Sequence, residues 1–196
     1  MALKNFMTEL ARAMAIAGGF VLSLLIILTC VSILGRILNG FFHGDLMESI
    51  APGFSKWVID MGVGPITGDF ELVEAGVAFA IFAFIPICQI TAGHACVDVL
   101  AVQFPKKVNR YLRMLIDILF AAVLVLIAWR LFDGMMSKRG YGETTFLLQF
   151  PIWWAYAASF VGAIVAALVG VYVAAVRIYE AFTGRIIIWD GVEAEQ

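Results

Sequence analysis

The sequence predicts an all-α membrane protein with four transmembrane helices. Three observations support this prediction: the composition, the long apolar segments, and the absence in them of alternating polar and apolar residues. Of its 196 residues, 63% are hydrophobic and 14% charged, and the mean hydropathy is +0.97. Soluble domains average about 45–50% apolar and about 25% charged residues. Backbone groups in lipid must be satisfied within the spanning structure, and the apolar segments lack the alternation typical of barrel strands. Helices are therefore expected.

Each predicted span is an apolar segment close to the length of about 20 residues that a helix needs to cross the hydrocarbon core. Lys4 and Arg12 precede the first segment, which is too long for the apolar part of a signal peptide and is interpreted as a retained span. Pro86 should kink the second. The chain is treated as a single domain, residues 1–196, with spans at about residues 13–36, 72–93, 112–129 and 152–176.

The distribution of basic residues predicts the orientation of the bundle. The densest cluster of Lys and Arg falls at the end of the 94–111 loop, between the second and third spans. Because basic residues favour cytoplasmic loops, this loop is expected inside the cell, with both termini and the tail at 177–196. The loops at 37–70 and 132–151 are then expected outside.

The first outer loop contains a candidate amphipathic helix. Phe54, Trp57, Val58 and Met61 recur at helical spacing, while polar residues occupy the rest of the same turns. This pattern is typical of a short helix on the membrane surface. An irregular aromatic-rich loop packed on the bundle is the alternative, since so short a helix is marginal by itself.

Two pairs of polar residues flank the second span. Glu71 and Glu74 open it on one helix face, either because carboxylates suit the positive end of a helix or because they contact another subunit. His94 and Asp98 close it at a spacing of four and are interpreted as a structural hydrogen-bonded pair. The only other histidine, His43, lies in the opposite loop, so no ligand set for a metal or haem is present.

Charged residues also mark the ends of the third span. Asp117 follows Arg113 by one helical turn, which allows an ion pair at the membrane interface. Arg130 precedes Asp133 by three residues at the other end. We expect these residues to anchor the helix, because neither pair reaches the middle of the membrane.

A row of small residues on the fourth span predicts close approach of another helix. Its members recur every four residues, and the span opens with two tryptophans. We combine these residues with the two carboxylates of the second span into a predicted partner-facing surface: Glu71, Glu74, Trp153, Trp154, Gly162, Ala166 and Gly170.

Several features that transporters and enzymes need are missing from the sequence, and this limits the functions that it can have. It has no charge at mid-membrane, no glycine-rich phosphate loop and no matched pair of interrupted helices. The net charge of −2 offers no basic surface for nucleic acid. No catalytic, cofactor-binding or metal-binding residue is predicted, so the chain is expected to assist another protein.

Three segments and a dipeptide resemble one transporter family in order and spacing. They are Glu-Leu-Val-Glu at 71–74, Gly-His-Ala-Cys-Val-Asp at 93–98, Glu-Thr-Thr-Phe-Leu-Leu-Gln-Phe-Pro-Ile-Trp-Trp at 143–154 and Trp-Arg at 129–130. The chain resembles the small membrane subunit (DctQ-like) of tripartite ATP-independent periplasmic (TRAP) transporters. The 37–70 loop is longer than expected for a minimal member.

The resemblance implies a bacterial inner-membrane scaffold beside a large elevator-type membrane subunit. A periplasmic solute-binding protein would deliver an organic acid, dicarboxylate-like, to that large subunit for sodium-coupled uptake. The small subunit would not transport alone. Two alternatives stay open: an orphan four-span structural protein and, less favoured, a small multidrug exporter. The exporter needs a carboxylate in its first span, and residues 13–35 contain none.

Overall fold

The computed structural model describes residues 2–91, 93 and 106–183, and within these residues every regular element is a helix. Four of the helices are long and apolar enough to cross a membrane, which confirms the predicted all-α class and the number of spans. The predicted pair His94 and Asp98 lies outside the described residues. The helices are α1 (Ala2–Phe42), α2 (Asp45–Ile50), α3 (Pro52–Asp60), α4 (Asp69–Ile90), α5 (Lys106–Tyr141) and α6 (Trp153–Thr183).

Three of the spanning helices extend well beyond the apolar segments that predicted them. With 41 residues, α1 is roughly 60 Å long, about twice the thickness of the hydrocarbon core. Residues 132–141, expected in an outer loop, form the last turns of α5. Nothing in their sequence stops a helix before Gly142, which has a φ of 64°, a conformation that glycine adopts readily just after a helix end.

The four long helices pack with α4 and α6 at the centre, α1 against α4, and α5 against α6. Small side chains dominate the contacts, so the helix backbones lie close together. One buried cluster, on α1, α4 and α6, contains Ala11, Ile90, Val169 and Val173. A second, on α5 and α6, contains Leu124, Ala128, Ala163, Ala166 and Ala167.

Contacts between α1 and α4 show that these helices run in opposite directions. A Cβ placed on Gly18 would lie 2.8 Å from the Ala83 Cβ, and one on Gly76 would lie 2.6 Å from the Leu25 side chain. One end of the bundle therefore carries α2, α3 and the α5–α6 segment (residues 142–152), and we call it the loop end. The other end, where α1 begins and α6 finishes, is the terminal end.

The predicted amphipathic helix is present as α3, but its apolar face is divided. Val58 is buried, and the buried Ser55 hydroxyl donates a hydrogen bond to the Phe42 carbonyl at the end of α1. Phe54 and Trp57 are 51% and 58% exposed, although the Phe54 ring also packs against Phe42 with ring centroids 5.9 Å apart. The short helix α2 was not predicted from the sequence, because its six residues carry too little periodicity to identify.

The connection into α4 lies directly on α1 through buried polar contacts. The Ser32 hydroxyl donates to Asp69 Oδ2 at 2.6 Å and accepts the Ile66 N–H at 3.2 Å. Nearer the loop end, Asn39 Nδ2 donates to the Val63 carbonyl at 2.9 Å. These bonds fix the position at which α4 enters the bundle.

Candidate functional site: a cavity at the loop end

The carboxylate of Glu71 holds the α5–α6 segment against α4. Its Oε1 accepts the Leu147 N–H at 2.7 Å, and its Oε2 accepts the Leu148 N–H at 2.9 Å. Hydrogen bonds to an ionised acceptor are roughly twice as strong as neutral ones. Within the segment, the Thr145 N–H also donates to the Phe150 carbonyl at 2.9 Å. Glu71 is therefore engaged within its own chain.

A cavity of about 480 Å³ lies beside this contact, bounded by α4, α5, α6 and the α5–α6 segment. Its volume falls in the range of about 300–1,000 Å³ that is usual for small-molecule sites. Glu71 and Glu74 line it on α4 at the loop end, and Phe82 lines it deeper in the bundle. Leu131 of α5 and Ala155 of α6 contribute to its other walls.

The two carboxylates differ in their surroundings. Glu74 is exposed to the cavity and makes no hydrogen bond or ion pair with any residue in the described ranges, whereas Glu71 accepts two N–H groups. The nearby cation Lys138 is already occupied, because its Nζ lies 2.5 Å from Glu143 Oε2. Glu74 is thus an ionisable group with a free acceptor face.

The row of small residues on α6 packs inside the chain. A Cβ on Gly162 would lie 2.9 Å from the Phe82 Cβ, and one on Gly170 would lie 3.0 Å from Leu124 Cδ1. Ala166 is completely buried. The row does allow close approach, but the neighbours are α4 and α5 of the same chain. The structure therefore gives no support to placing these three residues at a partner surface.

The two tryptophans that open α6 have different exposures. Trp153 is half-buried, and the Arg139 guanidinium lies 5.5 Å from its ring centroid. Trp154 packs edge-on against Trp153 with ring centroids 6.1 Å apart and is 55% exposed. Of these two tryptophans, only Trp154 exposes a large apolar area that another protein could contact.

The acidic residue of the third span is linked to α6. Arg177 Nε lies 3.3 Å from Asp117 Oδ2, and Arg177 Nη1 lies 2.8 Å from Glu180 Oε2. The side chains of Arg177 and Glu180 are only 10% and 7% exposed. Sequence reasoning did not find this contact, because a single sequence shows neighbours along a helix but not those across it. The predicted pair of Asp117 with Arg113 stays a prediction. Arg113 itself is half-buried.

The charged pair at the other end of α5 lies on the surface. Arg130 Nη1 is 3.8 Å from Asp133 Oδ2, with the two side chains 75% and 49% exposed. Ion pairs of this kind contribute at most about 1 kcal/mol to stability. The arginine also lies 5.9 Å from the Trp129 ring centroid.

Asp69 and Ser159 are among the buried polar residues that sequence reasoning missed. Asp69 is 8% exposed and begins α4, whereas the sequence predicts it in the 37–70 loop; a carboxylate just before an apolar segment is a signal for a helix start. Ser159 is 3% exposed and lines the cavity, and a lone hydroxyl within an apolar span gives little warning of such a role. In the described ranges, no three or more His, Cys, Asp or Glu side chains are grouped to hold a metal ion.

Comparison with known proteins provides one match. Residues 25–183 match the family described as tripartite ATP-independent periplasmic transporters, DctQ component. No curated protein and no solved structure matches the chain. The matched range begins in the second half of α1 and ends with the last residue of α6, so it includes the cavity and the contacts among α4, α5 and α6.

Proposed function

Because the chain belongs to the DctQ component family of TRAP transporters, we propose that it is the small scaffold subunit of such a transporter and stabilises a large elevator-type membrane subunit. The family is one of transporter subunits, and the chain is a multi-pass membrane protein. The match over most of the chain carries the proposal. The proposed location is the bacterial inner membrane, with both termini in the cytoplasm.

The distribution of charge favours a scaffold role for this chain over transport by the chain itself. Residues 13–35, 75–90, 118–129 and 153–176 contain no Asp, Glu, Lys or Arg. A path for sodium ions and organic anions needs polar groups at membrane depth, where ionisable residues usually mark such paths. The proposed path therefore lies in the large subunit, and a dicarboxylate-like organic acid reaches it from a periplasmic binding protein.

Reconstitution tests this division of labour. Proteoliposomes that contain the purified chain alone should show no sodium-driven uptake of any organic acid. Vesicles that also contain the large subunit, with the binding protein added, should accumulate the solute. Uptake by the chain alone would overturn the proposal, and full uptake by the large subunit without this chain would favour an orphan structural protein.

We place one partner contact at Trp154, rather than at the glycine row or at Glu71, whose groups are used within the chain. Trp154 is 55% exposed although α6 is the most buried of the four spanning helices. Tryptophan is enriched among the residues that dominate binding energies. The contact would thus add an apolar anchor at the loop end.

The change Trp154→Ala should lower the amount of large subunit that co-purifies by roughly five-fold or more, the effect of one such anchor. Trp129→Ala is the matched control, since Trp129 lies on α5 and is 63% exposed. Equal recovery with both variants would mean that Trp154 serves only as an aromatic anchor in the lipid interface.

A further inference from the structure

We propose that the loop-end cavity binds the ammonium headgroup of a membrane aminophospholipid, with Glu74 as its ionic partner and part of one acyl chain against the apolar lining. The proposal concerns a ligand site inside this chain, and it does not depend on the scaffold function. It rests on the polarity of the cavity, on two unpartnered polar groups that line it and on the local charge.

The polarity of the cavity changes along α4. Its carboxylates lie at the loop end, whereas Phe82 follows Glu74 by eight residues, or about 12 Å along the helix toward the middle of the span. Ala78 lies between these two residues on the same wall. A lipid in the adjoining leaflet has the same polarity, because its headgroup lies at the membrane surface and its chain points inward.

Two polar groups in the cavity have no partner within the described part of the chain. Glu74 makes no hydrogen bond or ion pair there. The Ser159 hydroxyl, on a residue that is 3% exposed, lines the cavity and also makes no hydrogen bond to a described residue. A polar ligand in the cavity would satisfy both groups.

The charges around the cavity favour a cationic ligand group over an anionic one. Two carboxylates line the cavity, and the neighbouring Lys138 is paired with Glu143. A phosphatidylethanolamine headgroup can extend its ammonium to Glu74 while its phosphate stays farther from the carboxylates. An anionic phosphatidylglycerol headgroup has no positive charge and would be repelled.

Native mass spectrometry of the full-length chain in detergent tests the proposal. The protein is titrated with phosphatidylethanolamine and phosphatidylglycerol of identical acyl chains, and the fraction that retains each lipid is measured. Phosphatidylethanolamine should be retained about five-fold better, the effect of one well-formed, partly exposed ion pair. Free ethanolamine, added in excess, should not displace it, because the acyl chain supplies much of the binding.

Variants locate the site. Glu74→Gln should abolish the preference for phosphatidylethanolamine, and the change is mild because Glu74 is exposed and makes no hydrogen bond or ion pair with a described residue. Asp60→Asn is the matched control, since it removes one exposed carboxylate from the same end but outside the cavity, and it should retain the preference. Ala78→Phe, which fills the apolar part, should reduce retention of both lipids.

Three results would overturn the proposal. Equal retention of the two lipids by the unmodified chain would remove the headgroup recognition. Equal loss of preference in Asp60→Asn and Glu74→Gln would indicate a general charge effect. Displacement by free ethanolamine would identify a soluble amine, not a lipid, as the occupant. If Ala78→Phe does not fold, Glu74→Gln and its control still decide the question.

Discussion

At the scale of single residues, Gly35 allows the connection into α4 to lie close against α1. A Cβ on Gly35 would lie 2.1 Å from the Gly64 carbonyl oxygen, a separation that real atoms do not reach. The obstructing atom belongs to the backbone, so it cannot move aside by changing a rotamer. Gly40, five residues later on the same helix, has nothing within 4 Å of its own Cβ position.

The pair Gly35→Ala and Gly40→Ala separates close packing from helix propensity. We expect Gly35→Ala to lower the free energy of unfolding by about 1–3 kcal/mol, as overpacking does, because the Gly64 backbone must move. Gly40→Ala should be neutral or stabilise the chain by up to about 1 kcal/mol. Thermal unfolding in detergent measures both, and equal stability of the two variants would show that the connection adjusts freely.

At the scale of elements, Glu71 is the residue that attaches the α5–α6 segment to α4. Both carboxylate oxygens are used, by Leu147 and Leu148, and the side chains of Phe146 and Leu147 are 86% and 51% exposed. Glu74 lies one turn farther along α4 and makes no such contact. The two carboxylates therefore allow a controlled comparison.

Glu71→Ala should accelerate amide hydrogen exchange at Leu147 and Leu148, because each N–H loses its acceptor and the segment is released locally. Glu74→Ala should leave these amides as protected as in the parent chain. Hydrogen exchange read by mass spectrometry on a peptide covering 142–152 provides the measurement. Unchanged protection in Glu71→Ala would show that the segment is held by other contacts.

The sequence predicted which elements exist better than it predicted their contacts. Hydropathy located the four spans because lipid imposes a minimum length of apolar helix, and it missed the ends because charged flanks continue a helix outside the bilayer. The small-residue row on α6 indicated close packing, but periodicity on one helix does not identify its neighbour. The cavity could not be predicted, since Glu74 and Ser159 are 85 positions apart in the chain.

At the scale of the whole molecule, the proposed topology places the loop end outside the cytoplasm. It rests on the basic cluster at the start of α5, which belongs to the terminal end of the bundle. Every contact between the helices is compatible with either orientation, so the direction needs its own experiment.

Cysteine labelling in intact cells determines the orientation. In a background without the native cysteines, a cysteine in place of Thr67, which is exposed at the loop end, should react with a membrane-impermeant thiol reagent. A cysteine in place of Lys106, at the start of α5, should react only after the cells are opened. The reverse pattern would invert the topology and place the cavity on the cytoplasmic side.

The helix contacts also indicate the order in which the helices can associate while the chain is synthesised. Each outer helix packs on the spanning helix next to it in the sequence, α1 on α4 and α5 on α6, so two helical hairpins can each form as soon as their second helix leaves the ribosome. The contacts of α6 with α4, where Gly162 meets Phe82, and with α1, through Ala11, wait for the complete chain. Assembly can then end with the docking of two hairpins, and Gly162 is the glycine of the row that lies at the seam between α4 and α6.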